Sequence, residues 1–319
     1  MMDPDAVKSC YDTIRVHSKS FALASRLFAR DVRDRAVVVY AWCRRADDAI
    51  DLAGRDGAAQ ALTRLRGELD DIYAGRDPGN PTLRAFQVTV KDCAIHRTYP
   101  EDLLAGMEMD VMSTRYDSME LLLRYCYCVA GTVGLMMCHV MGVTNEDATR
   151  NAVHMGMAMQ LTNICRDVLE DWELGRLYIP DPLLEKFGCH DLASRLGSPF
   201  PETAVASVAQ AIDYLLREAD RYYASGDTGL RSLSWRCALS VGTARRVYAA
   251  IGARVRRMDC NPLLGRAVVP LPDKLGHVAA ALGVSVADLP RRFALRIGSS
   301  GRVAAPRRLV KFPADVLPV

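Results

Sequence analysis

The 319-residue chain lacks most of the features that assign a protein quickly. Its ten cysteines include no Cys-x-x-Cys pair, and many sit in apolar, helix-like stretches. They read as reduced, buried thiols of a cytosolic protein, not as a disulfide framework or a zinc site. The six histidines are scattered and show no metal-ligand spacing. Charge of one sign is also missing. A net charge of +3 removes a strongly basic nucleic-acid binder from consideration, so no nucleic acid is expected as partner. The first residues, Met1-Met2-Asp3-Pro4-Asp5, are acidic and lack an apolar h-region, so no secretory leader is expected. There is no Gly-rich nucleotide loop and no convincing strand pair. The expectation is an all-α protein, cytoplasmic, with half its residues hydrophobic and enough of them to bury a large core.

What is present is acidity of an unusual kind. Gln160–Asp171 reads as helix, with no Pro or Gly and with Leu161, Ile164, Val168 and Leu169 among polar residues. At about 100° per residue, Gln160, Asn163, Asp167 and Asp171 fall on one stripe. Like charges four apart on a helix repel by roughly 0.2–0.5 kcal/mol, so such a face needs water or a cation. A second stretch repeats the arrangement. Tyr40, Arg44, Asp47 and Asp51 share a stripe, with Asp48 just beside it, between apolar neighbours such as Val37–Val39, Trp42 and Ile50. Acids framed by apolar residues point to a cavity wall. Two such helices facing each other would hold Mg²⁺ (or Mn²⁺) between carboxylates, with phosphate oxygens completing the coordination. The plainer alternative, two solvated helix faces, suits either stripe alone better than both together.

Along the rest of the chain, Asp3-Pro4 opens a first helix to about Val16. His17-Ser-Lys-Ser-Phe21 suits a phosphate at a helix start, or is an ordinary serine cap. Asp31 is expected to cap the helix of the first stripe, and Gly54-Arg-Asp-Gly57 to end it. Helices are expected at about 58–73, 82–96 and 100–114, the last carrying an Asp110 that needs a partner among methionines. The span 125–143 holds no Asp, Glu, Lys or Arg and meets the length criterion for a membrane crossing. Its three glycines, Thr132, His139 and two cysteines favour a buried central helix instead. Thr144-Asn-Glu-Asp147 resembles a capping box before the helix of the second stripe. Gly175–Pro180 must be non-helical; Arg176 there reaches a phosphate, or the stretch is a plain connector. Helices resume at about 200–225 and 231–257 and run on to about Leu295. Residues 1–297 are expected to form one all-α domain, and 298–319 a basic, flexible tail. Seven Lys or Arg and no acid between Arg291 and Lys311 suit an anionic membrane or a disordered segment.

The stretches His17–Phe21, Tyr40–Asp51, Tyr125–Gly134, Gln160–Asp171 and Gly175–Pro180 together resemble the squalene/phytoene synthase family, its phytoene-forming members most closely. The order is right from 17 to 180, and a weaker likeness continues through Tyr248 and Arg266. The resemblance implies an isoprenoid synthase fold, a helical bundle around a central cavity. It implies head-to-head condensation of two geranylgeranyl diphosphates to phytoene through a cyclopropyl diphosphate. It assigns magnesium to Asp47, Asp51, Asp167 and Asp171, with Asp48 secondary, and metal or water to Asn163 and Gln160. Arg44, Arg166, Arg176 and Arg266 would meet diphosphate, as would His17, Ser18 and Ser20. Phe21 would face the cation, and Tyr40, Tyr125 and Tyr248 would steer it or handle a proton. Asp48 departs from the pattern, since many relatives have Glu there. No membrane anchor of the eukaryotic squalene synthase type and no nicotinamide fingerprint are seen, so NADPH is not expected. Two alternatives remain. One is a C30 synthase using farnesyl diphosphate, with Ala22, Ala24, Ala130 and Gly134 as candidate roomy positions. The other is a non-catalytic helical scaffold. A C40 hydrocarbon product implies peripheral attachment to the inner face of a membrane, with later enzymes of carotenoid synthesis as partners.

Overall fold

The computed structural model describes residues 2–287, 310 and 312–317, and all regular structure among them is helical. The segment with the seven basic residues lies outside the described residues, as do the side chains of Lys19 and Ser20. Helix α1 (Pro4–His17) starts as expected, with the Asp3 side chain accepting from the Asp5 N–H. Helix α2 (Lys19–Ser25) is capped by Ser18, whose hydroxyl accepts from the Phe21 N–H. Helix α3 (Arg30–Asp51) carries the first acidic stripe. Asp31 does not cap it; it lies in the first turn, where a carboxylate favours the positive end of the helix dipole. Nor do the two glycines that follow α3 form a loop. Gly54 takes φ +65° and turns the chain directly into α4 (Gly54–Ala74).

Helices α5 (Pro81–Cys93) and α6 (Thr98–Val111) flank α3 and α4, and Trp42 of α3 stacks on Phe86 of α5 at 4.5 Å. The uncharged span is one helical rod of three parts: α7 (Met119–Cys126), a π-helical turn (Tyr127–Gly131) and α8 (Thr132–Met141). By length and composition this rod could cross a membrane, and most of it is buried in the bundle. Helix α9 (Glu146–Arg166) crosses it so closely that a Cβ at Gly156 would lie 2.3 Å from the Ala130 carbonyl oxygen. A Cβ at Gly134 would lie 2.4 Å from that of Ala152. Gly134 is thus small because two backbones touch there. Asn145, not Thr144, caps α9, accepting from the N–H groups of Asp147 and Ala148.

Asp167 interrupts the helical stretch at φ −106°, ψ 16°, and α10 (Val168–Glu173) follows. The i→i−4 bonds at Asp167 and Asp171 persist, so the second stripe stays aligned through the break. Short α11 (Asp181–Lys186) leads to the long α12 (Val205–Gly229), which packs along α9. Helix α13 (Trp235–Arg257) closes the bundle and α14 (Leu271–Ala287) lies against it. Near the C-terminus, Val310 and Val316 are buried. The Tyr127 hydroxyl, which donates to Asp102 Oδ2 at 2.9 Å, also lies 3.3 Å from the Val310 carbonyl; Arg150 Nε donates to the Asp315 carbonyl (2.7 Å) and His154 Nε2 to that of Val316 (2.6 Å).

Candidate active site

The bundle encloses a cavity of about 850 Å³, within the size range of ligand pockets. Its chemistry is graded along its walls. On α3, Ala36 and Val39 line the deep part, Tyr40, Cys43 and Arg44 the middle, and Asp47 and Asp51 the mouth. On α9, Ala148, Ala152, Met155 and Met159 are deep, followed by Gln160, Asn163 and Asp167, with Asp171 beyond. The mouth is therefore built at the C-terminal ends of both helices. The helix dipole is negative there, so it compounds the repulsion among the aspartates and leaves the mouth in need of cations.

Within the structure, arginines answer that need. Arg44 Nη1 donates to Asp47 Oδ2 at 2.8 Å and its Nη2 pairs with Asp48. Arg176 Nη2 donates to Asp51 Oδ1 at 2.7 Å, so the loop after the second motif reaches the first. Arg166 and Arg266 both hold Asp167, Arg166 Nε at 2.6 Å and Arg266 Nε at 3.0 Å from Oδ1. Burial, then the nearby Asp51, raises the Asp47 carboxyl to about 6, although that carboxylate faces the cavity. Burial, then Asp167, raises Asp171 to about 8.

Of the residues singled out in the sequence, His17, Ser18, Phe21, Tyr40, Arg44, Asp47, Asp51, Tyr125, Gln160, Asn163, Arg166, Asp167, Asp171, Arg176, Tyr248 and Arg266 all line this one cavity. Phe21 stacks on Tyr40 at 5.1 Å. Asp48 does not line it and serves as a partner of Arg44. Ser20 falls among the side chains outside the description. Of the candidate roomy positions, Ala24, Ala130 and Gly134 line the cavity and Ala22 does not. The lining residues not singled out as site residues include Asp110 of α6 and Tyr178. The isolated carboxylate among methionines was the signal for Asp110, whose partners proved to be the hydroxyls of Tyr125 (2.9 Å) and Tyr178 (2.8 Å).

The donor set suits divalent metal bound together with diphosphate. Asn163 donates its amide N–H to Gln160 Oε1 at 3.3 Å, which leaves Asn163 Oδ1 buried without a partner beside the carboxylates. Among the described residues no three acids, histidines or cysteines close around a single ion on their own. Carboxylate pairs on opposite walls, with phosphate oxygens between them, are the arrangement Mg²⁺ prefers.

Residues 14–273 match the family model for Squalene/phytoene synthase. The chain belongs to the squalene/phytoene synthase family. It is 36% identical over 300 residues to a 15-cis-phytoene synthase of Pantoea ananas, covering 91% of this chain and 96% of that one. It is 40% identical over 272 residues to a phytoene synthase of Rhodobacter capsulatus, covering 85% and 79%. Among solved structures, a dehydrosqualene synthase in complex with ligand superposes with a TM-score of 0.78 at 28% identity, covering 88% of this chain and 96% of that one. A squalene synthase from Alicyclobacillus acidocaldarius gives 0.70 at 27% identity, covering 81% and 95%. The all-α bundle around a central cavity is thus the isoprenoid synthase fold that the motifs led one to expect.

Proposed function

We propose that this family member is a phytoene-forming prenyltransferase. It joins two geranylgeranyl diphosphates head to head through a cyclopropyl diphosphate and releases two diphosphates, the first committed step of carotenoid biosynthesis. The observation that carries the reading is the graded cavity: an apolar floor for prenyl chains beneath a mouth of paired aspartates and arginines. The curated relatives described above are phytoene synthases, which favours C20 substrates over the C15 substrate of the C30 alternative. A non-catalytic scaffold would be expected to have lost a metal-binding aspartate, and none is missing.

Mg²⁺, when bound, supplies Lewis-acid stabilisation of the departing diphosphate. Asp47, Asp51, Asp167 and Asp171 would hold it, with Asn163 Oδ1 beside them. Arg44, Arg166, Arg176 and Arg266, now paired with carboxylates of the mouth, would bind phosphate oxygens once metal held those carboxylates. Ser18, which lines the same cavity, would add a hydroxyl. The apolar floor excludes the water that would quench an allylic cation. Phe21, stacked on Tyr40, offers that cation an aromatic face. Replacing Asp47 or Asp171 by Ala is expected to abolish diphosphate release while the helical circular dichroism stays intact. Full activity in both variants would overturn the assignment.

The product is insoluble in water, so we also propose peripheral attachment to an anionic membrane at the inner face, where later enzymes of the pathway would collect it. Exposed leucines on or beside the cavity lining support this. Leu52, just past Asp51, is 86% exposed, Leu174 is 63% exposed and Leu271 63% exposed. Co-sedimentation with anionic vesicles should fall when these three become Ser. Replacing Arg302, Arg307 and Arg308 by Gln measures the contribution of the basic segment separately, because it leaves residues 310–317 in place.

A further inference from the structure

The condensation must export protons from a cavity that has to stay dry. Closing the cyclopropane ring breaks a C–H bond on the carbon two positions from the cationic centre, and forming the final double bond breaks one on the carbon beside it. Each time the electron pair stays with carbon and a proton must leave. Water inside the cavity would accept it, but would also capture the cation.

Asp110 stands where that conflict can be resolved. Its Oδ2 accepts from the Tyr125 hydroxyl at 2.9 Å and its Oδ1 from the Tyr178 hydroxyl at 2.8 Å. The two rings stack at 4.9 Å, and Tyr116 packs against both. The two phenol protons are directed at Asp110, and the Tyr125 hydroxyl also lies 3.2 Å from the Tyr178 oxygen, so neither phenol has a hydrogen to offer the cavity. Behind this wall lies a second cleft of about 210 Å³, lined by Ser113, Thr114, Asp181 and Ser194 among others. Asp110, Arg176 and Tyr178 line both spaces. The rear cleft has several polar side chains along its lining and is roomy enough for ordered water.

We propose that Asp110 is a positioning residue and proton conduit: it orients the Tyr125 and Tyr178 oxygens as acceptors and passes the released proton to water in the rear cleft. The Tyr125 oxygen accepts the proton lost from carbon as its own hydroxyl proton moves to Asp110 Oδ2. Asp110 then gives that proton to water on the far side and is again a carboxylate. Burial raises the Asp110 carboxyl, which suits a group that must hold a proton in transit. Tyr178 keeps the second oxygen fixed, so the carboxylate presents the same edge to Tyr125 in each cycle.

This inference rests on the head-to-head reading, and the test separates the two. Purified wild type, Asp110→Asn, Tyr125→Phe and the double variant are given Mg²⁺ and geranylgeranyl diphosphate, and hydrocarbon, cyclopropyl diphosphate and prenyl alcohols are quantified. Wild type without hydrocarbon would count against the functional reading itself. With wild type active, Asp110→Asn should lower kcat for hydrocarbon at least tenfold with KM within threefold. A larger share of turnovers should then end as cyclopropyl diphosphate or alcohols. In the Tyr125→Phe background the same change should cost less than twofold. Ser194→Leu, which fills the rear cleft without touching the buried network, should also slow hydrocarbon formation at unchanged KM. Wild-type kcat in Asp110→Asn or in Ser194→Leu, effects that multiply with Tyr125→Phe, or a fall in rate with unchanged product shares would overturn the proposal.

Discussion

Asp171 sets the terms at the scale of single residues. Its carboxyl is held near 8 by burial and by Asp167, against an ordinary value of 3.8. Below pH 3.8 folded and unfolded chains are both protonated there and the site costs nothing. As pH rises towards 8 the unfolded chain ionises first, and stability of the metal-free protein falls; above 8 the loss is complete. Asp171→Asn should therefore stabilise the metal-free protein at pH 8 by on the order of a few kcal/mol, the gain shrinking towards pH 4. The same change should remove activity. Urea melts at pH 8, 6 and 4 check this, and equal stability of the two proteins at pH 8 would contradict it. The site spends stability on function. Most of these residues were legible in the sequence, because carboxylates and amides repeating at helical spacing among apolar neighbours have few other uses. Asp48 shows the limit. Spacing puts it beside the stripe, and only the packing of α3 shows that it turns to Arg44 and away from the cavity.

At the scale of elements, the site depends on α3 and α9 running with the same polarity gradient, apolar first and acidic at their C-terminal ends. The π-helical turn at Tyr127–Gly131 interrupts the rod that faces them, and Val129 and Ala130 of that turn line the cavity. The crossing of α9 with this rod is held by glycines. Gly156→Ala would drive a Cβ to 2.3 Å from the Ala130 carbonyl oxygen, a backbone atom that cannot rotate away. Overpacking of this kind costs about 1–3 kcal/mol, so the variant should unfold at lower urea with its helix content unchanged. Stability equal to the unsubstituted protein would refute the crossing. Helix existence and order followed from periodicity, but ends did not. Asp31 failed as a cap because Ala29 precedes the first turn, and Gly54 turned the chain straight into α4. Single-residue turns of that kind are set by the neighbouring helices that the chain must reach, which local sequence does not record.

For the whole molecule, the described C-terminal residues form a strap across the rod and α9. Burying Val310 and Val316 contributes roughly 1.5 kcal/mol each as an upper estimate. The strap's carbonyls accept from Arg150 and His154 as well. Deleting 310–319 should lower unfolding stability by about 3 kcal/mol or more, read by urea titration; a loss below about 0.5 kcal/mol would rule out this role for the strap. Nothing in the composition of the last residues announced it, since partners 162 to 183 positions away define it. The central claim concerns the whole cavity, and one incubation tests it most directly. Purified protein is given Mg²⁺ with geranylgeranyl diphosphate or farnesyl diphosphate, with and without NADPH, and the extracted lipid is identified. The account predicts a C40 hydrocarbon with a central triene from geranylgeranyl diphosphate without NADPH. A C30 product from farnesyl diphosphate alone, or no hydrocarbon from either substrate, would contradict it.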